Sequence, residues 1–207
     1  DIETLKNFIN ENKNIEICSF ESIFLKKDHW SSLKFCKAQL NAEKSYERPL
    51  ALFNGFNSRD GVFIKFKKGV IEGLKFLMKK NYYIFIATNQ AGIAKNFFKE
   101  IDFINLHIYL KKKLSLKNIF FNDVQYSPFH PKGKLKKFRK ISSLRKPGNR
   151  MIVNITNNWL IDKKNSFMIG DQISDKICAK NSNLKFYFAE RNFESLIKSI
   201  LKKINNY

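Results

Sequence analysis

Tyr82–Asn96 reads YYIFIATNQAGIAKN. Its first half is a run of aromatic and β-branched residues, the composition of a strand buried on both faces of a parallel sheet. The run stops at Thr88, where hydroxyl, amide and small residues follow. Thr88, Asn89 and the backbone N–H groups of a helix start make a cradle for an anion. A loop with an N-capping threonine is the plainer reading of the same residues, and the loop alone does not choose between them.

The same alternation extends on both sides. LALF after Pro49 has strand character, and KKGVIEGLKFLMKKN places Val70, Leu74, Leu77 and Met78 on one helical side. FKEIDFINLHIYLKKKL reads as a helix, DVQYSP as a short strand and GNRMIVNITNNWL as a helix. NSFMIGD is a second buried strand, SDKICAKNSN a helix and KFYFA a last strand. NFESLIKSILKKI closes the chain as a helix with Asn192 as its cap. Strands alternating with helices predict an α/β domain around a central parallel sheet, with ligands beyond the carboxyl ends of the strands. Residues 1–48 differ. Ile2, Leu5, Phe8 and Ile9, then Leu33, Cys36 and Leu40, recur at helical spacing, and NAEKSYERP reads as a linker. The expected division is a helical extension over 1–48 and a domain over 49–207.

Three more strand-end features carry chemistry. FNSRDGVFI, Phe56–Ile64, places Asp60 in a polar turn. MIGDQISD brings Asp171 and Asp175 to one strand end, a pairing of hard oxygen donors that suits Mg²⁺. An acidic first helical turn is the alternative for Asp175. RKPGNRM delivers Lys146 ahead of a proline able to begin a helix, where its ammonium would neutralise a phosphate; a solvated surface lysine is the plainer alternative.

In this order, RDG, TNQAGIA, RKP and GDxxxD, the chain resembles the haloacid dehalogenase superfamily. Within it the chain looks most like the heptose 1,7-bisphosphate 7-phosphatases and histidinol-phosphate phosphatases. TNQAGIAKN is similar to TNQSGIARG of that family, and HPKGKLKKFRKISSLRKPGNRM follows its HP…CxCRKPxPGM segment. The resemblance spans about residues 49–190. It implies a three-layer, Rossmann-like, capless fold and Mg²⁺-dependent hydrolysis of a phosphorylated sugar in the cytoplasm. It implies that Asp60 is the general acid and base, that Thr88, Asn89 and Lys146 hold phosphate, that Gln90 and Arg145 meet substrate, and that Asp171 and Asp175 serve the metal. SFESIFLKKDHWSSLKFCKAQ has a weaker likeness to the tail of a sugar-phosphate nucleotidyltransferase.

The chain departs from that pattern in three places. FLDRDG is replaced by FNSRDG, so the nucleophile position holds Ser58; a shifted alignment puts Gly55 there. Neither is a carboxylate, and Ser58 has no histidine in its motif to activate it. The zinc-loop ligand positions hold Ser127, Phe129, Ser142 and Leu144, with His130 beside them, so the loop zinc is expected to be lost. The segment VFIKFKKG after Gly61 is shorter than the family's insert. These departures predict a weakened Mg²⁺ site and impaired catalysis.

The formal net charge is +21, from 39 basic and 18 acidic residues. Lysine outnumbers arginine by 33 to 6, which argues against base reading by arginine forks. Two explanations remain: a compositional bias that scatters lysine over solvated surfaces, and attraction to polyanions. Cys18, Cys36 and Cys178 lack paired spacing and read as free thiols. No apolar run is long enough to span a membrane, and Glu3, Glu11 and Glu16 interrupt any leader-like segment. Two rivals to an impaired phosphatase therefore stand: a non-catalytic module that binds phosphosugar or docks on a partner, and a basic structural protein of a nucleoprotein assembly.

Overall fold

A computed structural model describes residues 66–205 and the backbone of residues 22–27. The strands are β1 (Ser22–Lys27), β2 (Tyr82–Asn89), β3 (Asp123–Ser127), β4 (Ile161–Gly170) and β5 (Lys185–Phe188). The helices are α1 (Val70–Lys79), α2 (Ala91–Ala94), α3 (Glu100–Ser115), α4 (Arg150–Asn158), α5 (Ile173–Asn181) and α6 (Phe193–Asn205), with a 3₁₀ turn at Lys136–Phe138. LALF, Ser58, Asp60 and the expected helices in residues 1–48 lie outside the described residues.

The strands form one sheet in the order β3-β2-β1-β4-β5. β2 pairs with β3, and β4 with β5, in parallel. The alternation along β2 explains the three layers. Tyr82, Ile84 and Ile86 enter one core with Val70, Leu74 and Leu77 of α1, Leu110 and Leu114 of α3, and Ile197 and Ile200 of α6. Tyr83, Phe85 and Ala87 point the other way, onto Met151, Ile152 and Ile155 of α4 and Cys178 and Ala179 of α5. A strand with both faces buried needs the continuous apolar run read in the sequence.

β1 departs from the all-parallel expectation. It lies between β2 and β4, antiparallel to both, with Ser22 opposite Ile86 on one side and Ile169 on the other. It comes from the stretch assigned by sequence to the N-terminal extension. Two flanking strands with unpaired inner edges leave many donors and acceptors to satisfy, and a strand of either direction can pair with them. The crossover from β3 through α4 to β4 passes over this position, so the chain changes sides of the sheet there. That is the place where open α/β sheets bind ligands.

The helix ends show how this glycine-poor sequence makes turns. Asn81, Asn96, Asn118 and Asn183 are the four non-glycine residues with positive φ among the described residues, and each falls within three residues beyond the end of α1, α2, α3 or α5. Asparagine tolerates the left-handed conformation that stops a helix. Gly69, at φ 76, starts α1, where an added Cβ would lie 2.4 Å from Asn192 Oδ1. Asn192 Oδ1 accepts from Ser195 N at 3.3 Å, the cap expected for the last helix.

Candidate active site

The carboxyl ends of β2 and β4 flank the switch position, and Thr88, Asn89, Lys146, Asp171 and Asp175, the marked residues among those described, come together there. Thr88 is buried, and its hydroxyl accepts from Gln90 Nε2 at 3.0 Å. Gln90 is the N-cap of α2 and is itself buried, so Thr88 fixes that residue rather than capping the helix. Asn89 clasps Lys146: its Nδ2 donates to the Lys146 carbonyl at 3.1 Å, and Lys146 N donates to its Oδ1 at 2.9 Å. The amide thus imitates a backbone strand partner and sets where Lys146 enters the site.

Lys146 is not the solvated cation the sequence allowed. Its side chain is fully buried; Nζ donates to the Ala87 carbonyl at 2.7 Å and lies 3.0 Å from Asp175 Oδ1. Burial pulls its pKa down to about 8, and the Asp175 carboxylate opposes that fall, aided by Cys178 and Asp171. Nor does Pro147 begin a helix, because α4 starts at Arg150 and the Lys146–Pro147 peptide is cis.

Asp175 is equally committed. Besides the ion pair, its Oδ2 accepts from Gln172 N at 3.0 Å and closes a capping box at the start of α5. Both readings of Asp175 are therefore present at once: it completes the helix start, and it faces the site. Gly170 is required for this approach, since a Cβ there would lie 2.5 Å from Asp175 Oδ2. Asp171 follows β4 and is exposed.

A hard divalent cation with mainly water ligands needs only one or two protein carboxylates. Asp171 fits that demand as a direct ligand. Asp175 serves better by orienting Lys146, because its oxygens already face an ammonium and a backbone N–H. No group of three or more His, Cys, Asp or Glu able to hold a metal occurs among the described residues.

The segment between β3 and α4 forms the rim. Arg145 Nη1 reaches the Phe129 carbonyl at 3.4 Å, and burial lowers its pKa. Three of the four positions that would carry zinc ligands make other contacts. Phe129 packs on Phe138 with centroids 6.1 Å apart, Ser142 Oγ accepts from Leu144 N, and Leu144 joins the second core. Ser127 Oγ is buried without a hydrogen-bond partner among the described residues. Arg139 ties the loop to itself, donating from Nε to the Gly133 carbonyl at 2.7 Å and from Nη2 to that of Lys134 at 2.9 Å. Leu135 N fastens it to the Ala94 carbonyl at 3.0 Å. His130 has its pKa lowered by burial, then by Arg145, Lys95 and Lys132. The clasp made by Asn89 and the staple made by Arg139 were not legible in the sequence, since their partners are backbone groups.

The polynucleotide kinase 3 phosphatase family model matches residues 51–198. A D-glycero-beta-D-manno-heptose-1,7-bisphosphate 7-phosphatase of Rhodopseudomonas palustris is 31% identical over 159 residues, 70% of this chain and 88% of that enzyme. A solved HAD-like phosphatase of Mesorhizobium loti superposes with a TM-score of 0.61 at 19% identity, over 69% of this chain and 75% of that one. The D,D-heptose 1,7-bisphosphate phosphatase of B. bronchiseptica, complexed with magnesium and phosphate, gives 0.55 at 16% identity, over 65% of this chain and 83% of its own. These two structures share the fold.

Proposed function

The chain belongs to the polynucleotide kinase 3 phosphatase family, and from that premise we propose that it binds a phosphorylated sugar of the heptose bisphosphate type with impaired phosphoryl transfer. The observation that carries the reading is the convergence of Thr88, Asn89, Lys146, Asp171 and Asp175 on one sheet end. In this reading Thr88 and the backbone N–H groups that open α2, at the end of β2, would hold the phosphoryl group. Lys146, positioned by Asn89 and held protonated by Asp175, would supply positive charge from beneath the sheet end. Mg²⁺, when bound at Asp171, would screen the substrate's negative charge.

Impairment follows from Ser58. In the family's chemistry an aspartate attacks phosphorus, and Asp60 protonates the departing oxygen. A serine there is neither an anionic nucleophile nor an anionic metal ligand. Loss of a nucleophile is worth up to ~10⁶ in kcat in a hydrolase where it has been dissected. In this reading the chain serves heptose or surface-polysaccharide precursor synthesis in the cytoplasm, and the heptose bisphosphate phosphatases among its relatives support the substrate class alone. Among the described residues no helix is long and apolar enough to cross a membrane.

The test is turnover of a panel of sugar phosphates, with and without Mg²⁺, by the wild-type chain and by Ser58→Asp. The wild type should be near background, and Ser58→Asp should gain a Mg²⁺-dependent rate that Asp60→Asn and Asp171→Asn each abolish. An enzyme-like rate in the wild type would show that another residue attacks. A folded Ser58→Asp that binds Mg²⁺ and stays inert would favour the Gly55 alignment, or a binding module.

A further inference from the structure

Between Asp123 and Asp162 the chain carries no carboxylate side chain, and six of the nine residues Lys132–Lys140 are lysine or arginine. Scattered substitution by a compositional bias spreads lysine among acids, as it does along much of this chain. Here the acids are missing. The five lysines of this segment are all exposed. Only Lys137 among them is paired with a carboxylate of the described residues, at 3.9 Å from Glu100.

The segment is also held in place. Its 3₁₀ turn packs Phe138 into a small core with Ile93, Ala94 and Phe103, and His130 N donates to the Phe138 carbonyl at 3.1 Å. Lys140 Nζ stands 4.4 Å from the Phe129 ring centroid and Lys137 Nζ 4.8 Å from that of Phe138. The result is a ridge of positioned ammonium groups along the rim of the sheet's carboxyl end.

The chemistry of the ridge selects its partner. Both nearby guanidinium groups already donate to backbone carbonyls, Arg139 to Gly133 and Lys134, and Arg145 to Phe129, which fixes their direction. The rest of the ridge's charge is lysine, which binds phosphates as a point charge and does not read base edges. Successive charges match a ligand with successive phosphates better than a single phosphomonoester. A lipid surface fits less well, because Ile141 is the one large apolar side chain of residues 128–150 that is largely exposed. That isoleucine, 89% exposed at the end of the ridge, offers an unpaired base an apolar contact that a duplex would withhold.

We propose that Lys132–Lys140 is a docking surface for the phosphodiester backbone of single-stranded nucleic acid, without sequence preference. The surface does not use the pocket, so it stands or falls separately from the sugar-phosphate reading.

The experiment measures anisotropy of a labelled oligothymidylate over a salt series, using the full chain. One variant changes Lys132, Lys134, Lys136, Lys137 and Lys140 to Gln. A control with the same loss of charge changes Lys112, Lys113, Lys117, Lys202 and Lys203, exposed near the ends of α3 and α6. The ridge variant should bind at least ~10-fold more weakly, and its plot of log K against log salt should flatten by up to ~3.5, at ~0.7 for each phosphate left without its lysine. The control should stay within about threefold. Equal weakening in ridge and control variants would overturn the proposal, as would no binding by the wild type. Tighter binding of duplex or of phosphatidylserine vesicles would overturn it too. Should the ridge variant misfold, photo-crosslinking of the wild-type chain decides: crosslinks concentrated in residues 130–145 support the surface, and crosslinks spread over the lysine-bearing helices refute it.

Discussion

Lys146 Nζ lies 3.0 Å from Asp175 Oδ1, and neither side chain exposes any surface. A pair buried this completely is weak grounds for stability, because both ions surrendered their water. Removing one partner is a different matter, since the other charge is then stranded. Asp175→Asn should therefore destabilise the fold by ~3–5 kcal/mol in urea unfolding. Lys146→Met in the same chain should recover much of that stability. If the double variant is as unstable as the sum of the two singles, the pair is not coupled as the geometry indicates.

The same ammonium sets an alkaline signature. Its folded pKa, about 8, is below the ordinary 10.5, so between those values the native state binds fewer protons than the unfolded chain. Stability contributed by this group therefore rises with pH through that window. Cys178, raised from 9.0 to about 11, and Tyr82 and Tyr83, raised from 10.0 to about 12, act with the opposite sign from pH 9 upward. The clean interval is pH 8 to 9. Wild-type stability should climb there, and Lys146→Met should be flat.

His107 gives the acid limb. It is buried on α3, its Nδ1 has no hydrogen-bond partner among the described residues, and its pKa is held well below 6.5 by burial and by Lys111. The unfolded chain takes up a proton near pH 6.5 that the native chain refuses. Stability is thus complete above 6.5 and falls as pH drops below it, by up to ~1.4 kcal/mol per pH unit for one proton. His107→Leu should flatten most of that slope in chemical unfolding between pH 6.5 and 5, with His130, also lowered, keeping a smaller share. A slope unchanged by the substitution would assign the acid sensitivity to other groups.

What the sequence showed and hid follows from the kind of contact involved. The run YYIFIAT announced a strand with two buried faces because periodicity and burial are properties of the side chains themselves. The five helices read around it were legible from their apolar spacing. Lys146 was visible as a residue but its surroundings were not: nothing in RKP says that its amine points at the Ala87 carbonyl. The central place of Ser22–Lys27 was hidden too, since SIFLKK is no more strand-like than other short apolar runs and pairing is decided by neighbours far along the chain. The ridge at Lys132–Lys140 could be counted in the sequence, but its exposure and the anchoring of Phe138 could not.

A close approach at the site joins Gly170 to Asp175, and it yields the sharpest genetic test. A Cβ on Gly170 would stand 2.5 Å from Asp175 Oδ2, 2.6 Å from its Cβ and 2.8 Å from its Cγ. None of these atoms can retreat easily. Oδ2 is fixed by Gln172 N, the Cβ by the first turn of α5, and the carboxylate by Lys146. Gly170→Ala should therefore cost ~1–3 kcal/mol or more, the range of an overpacked interior. Glycine's backbone freedom is not the cause, because Gly170 is not among the positive-φ residues. The collision is with one side chain, so a background that shortens it should tolerate the alanine. Alanine at 175 would keep the Cβ that lies 2.6 Å away, and losing the carboxylate alone would strand Lys146, so the background is Asp175→Gly with Lys146→Met. In it, adding Gly170→Ala should cost less than ~0.5 kcal/mol, as for a surface change. Urea unfolding of the four proteins closes the cycle. If Gly170→Ala costs the same in both backgrounds, the close approach is to the backbone of the β4–α5 turn, and the carboxylate is not what the glycine makes room for.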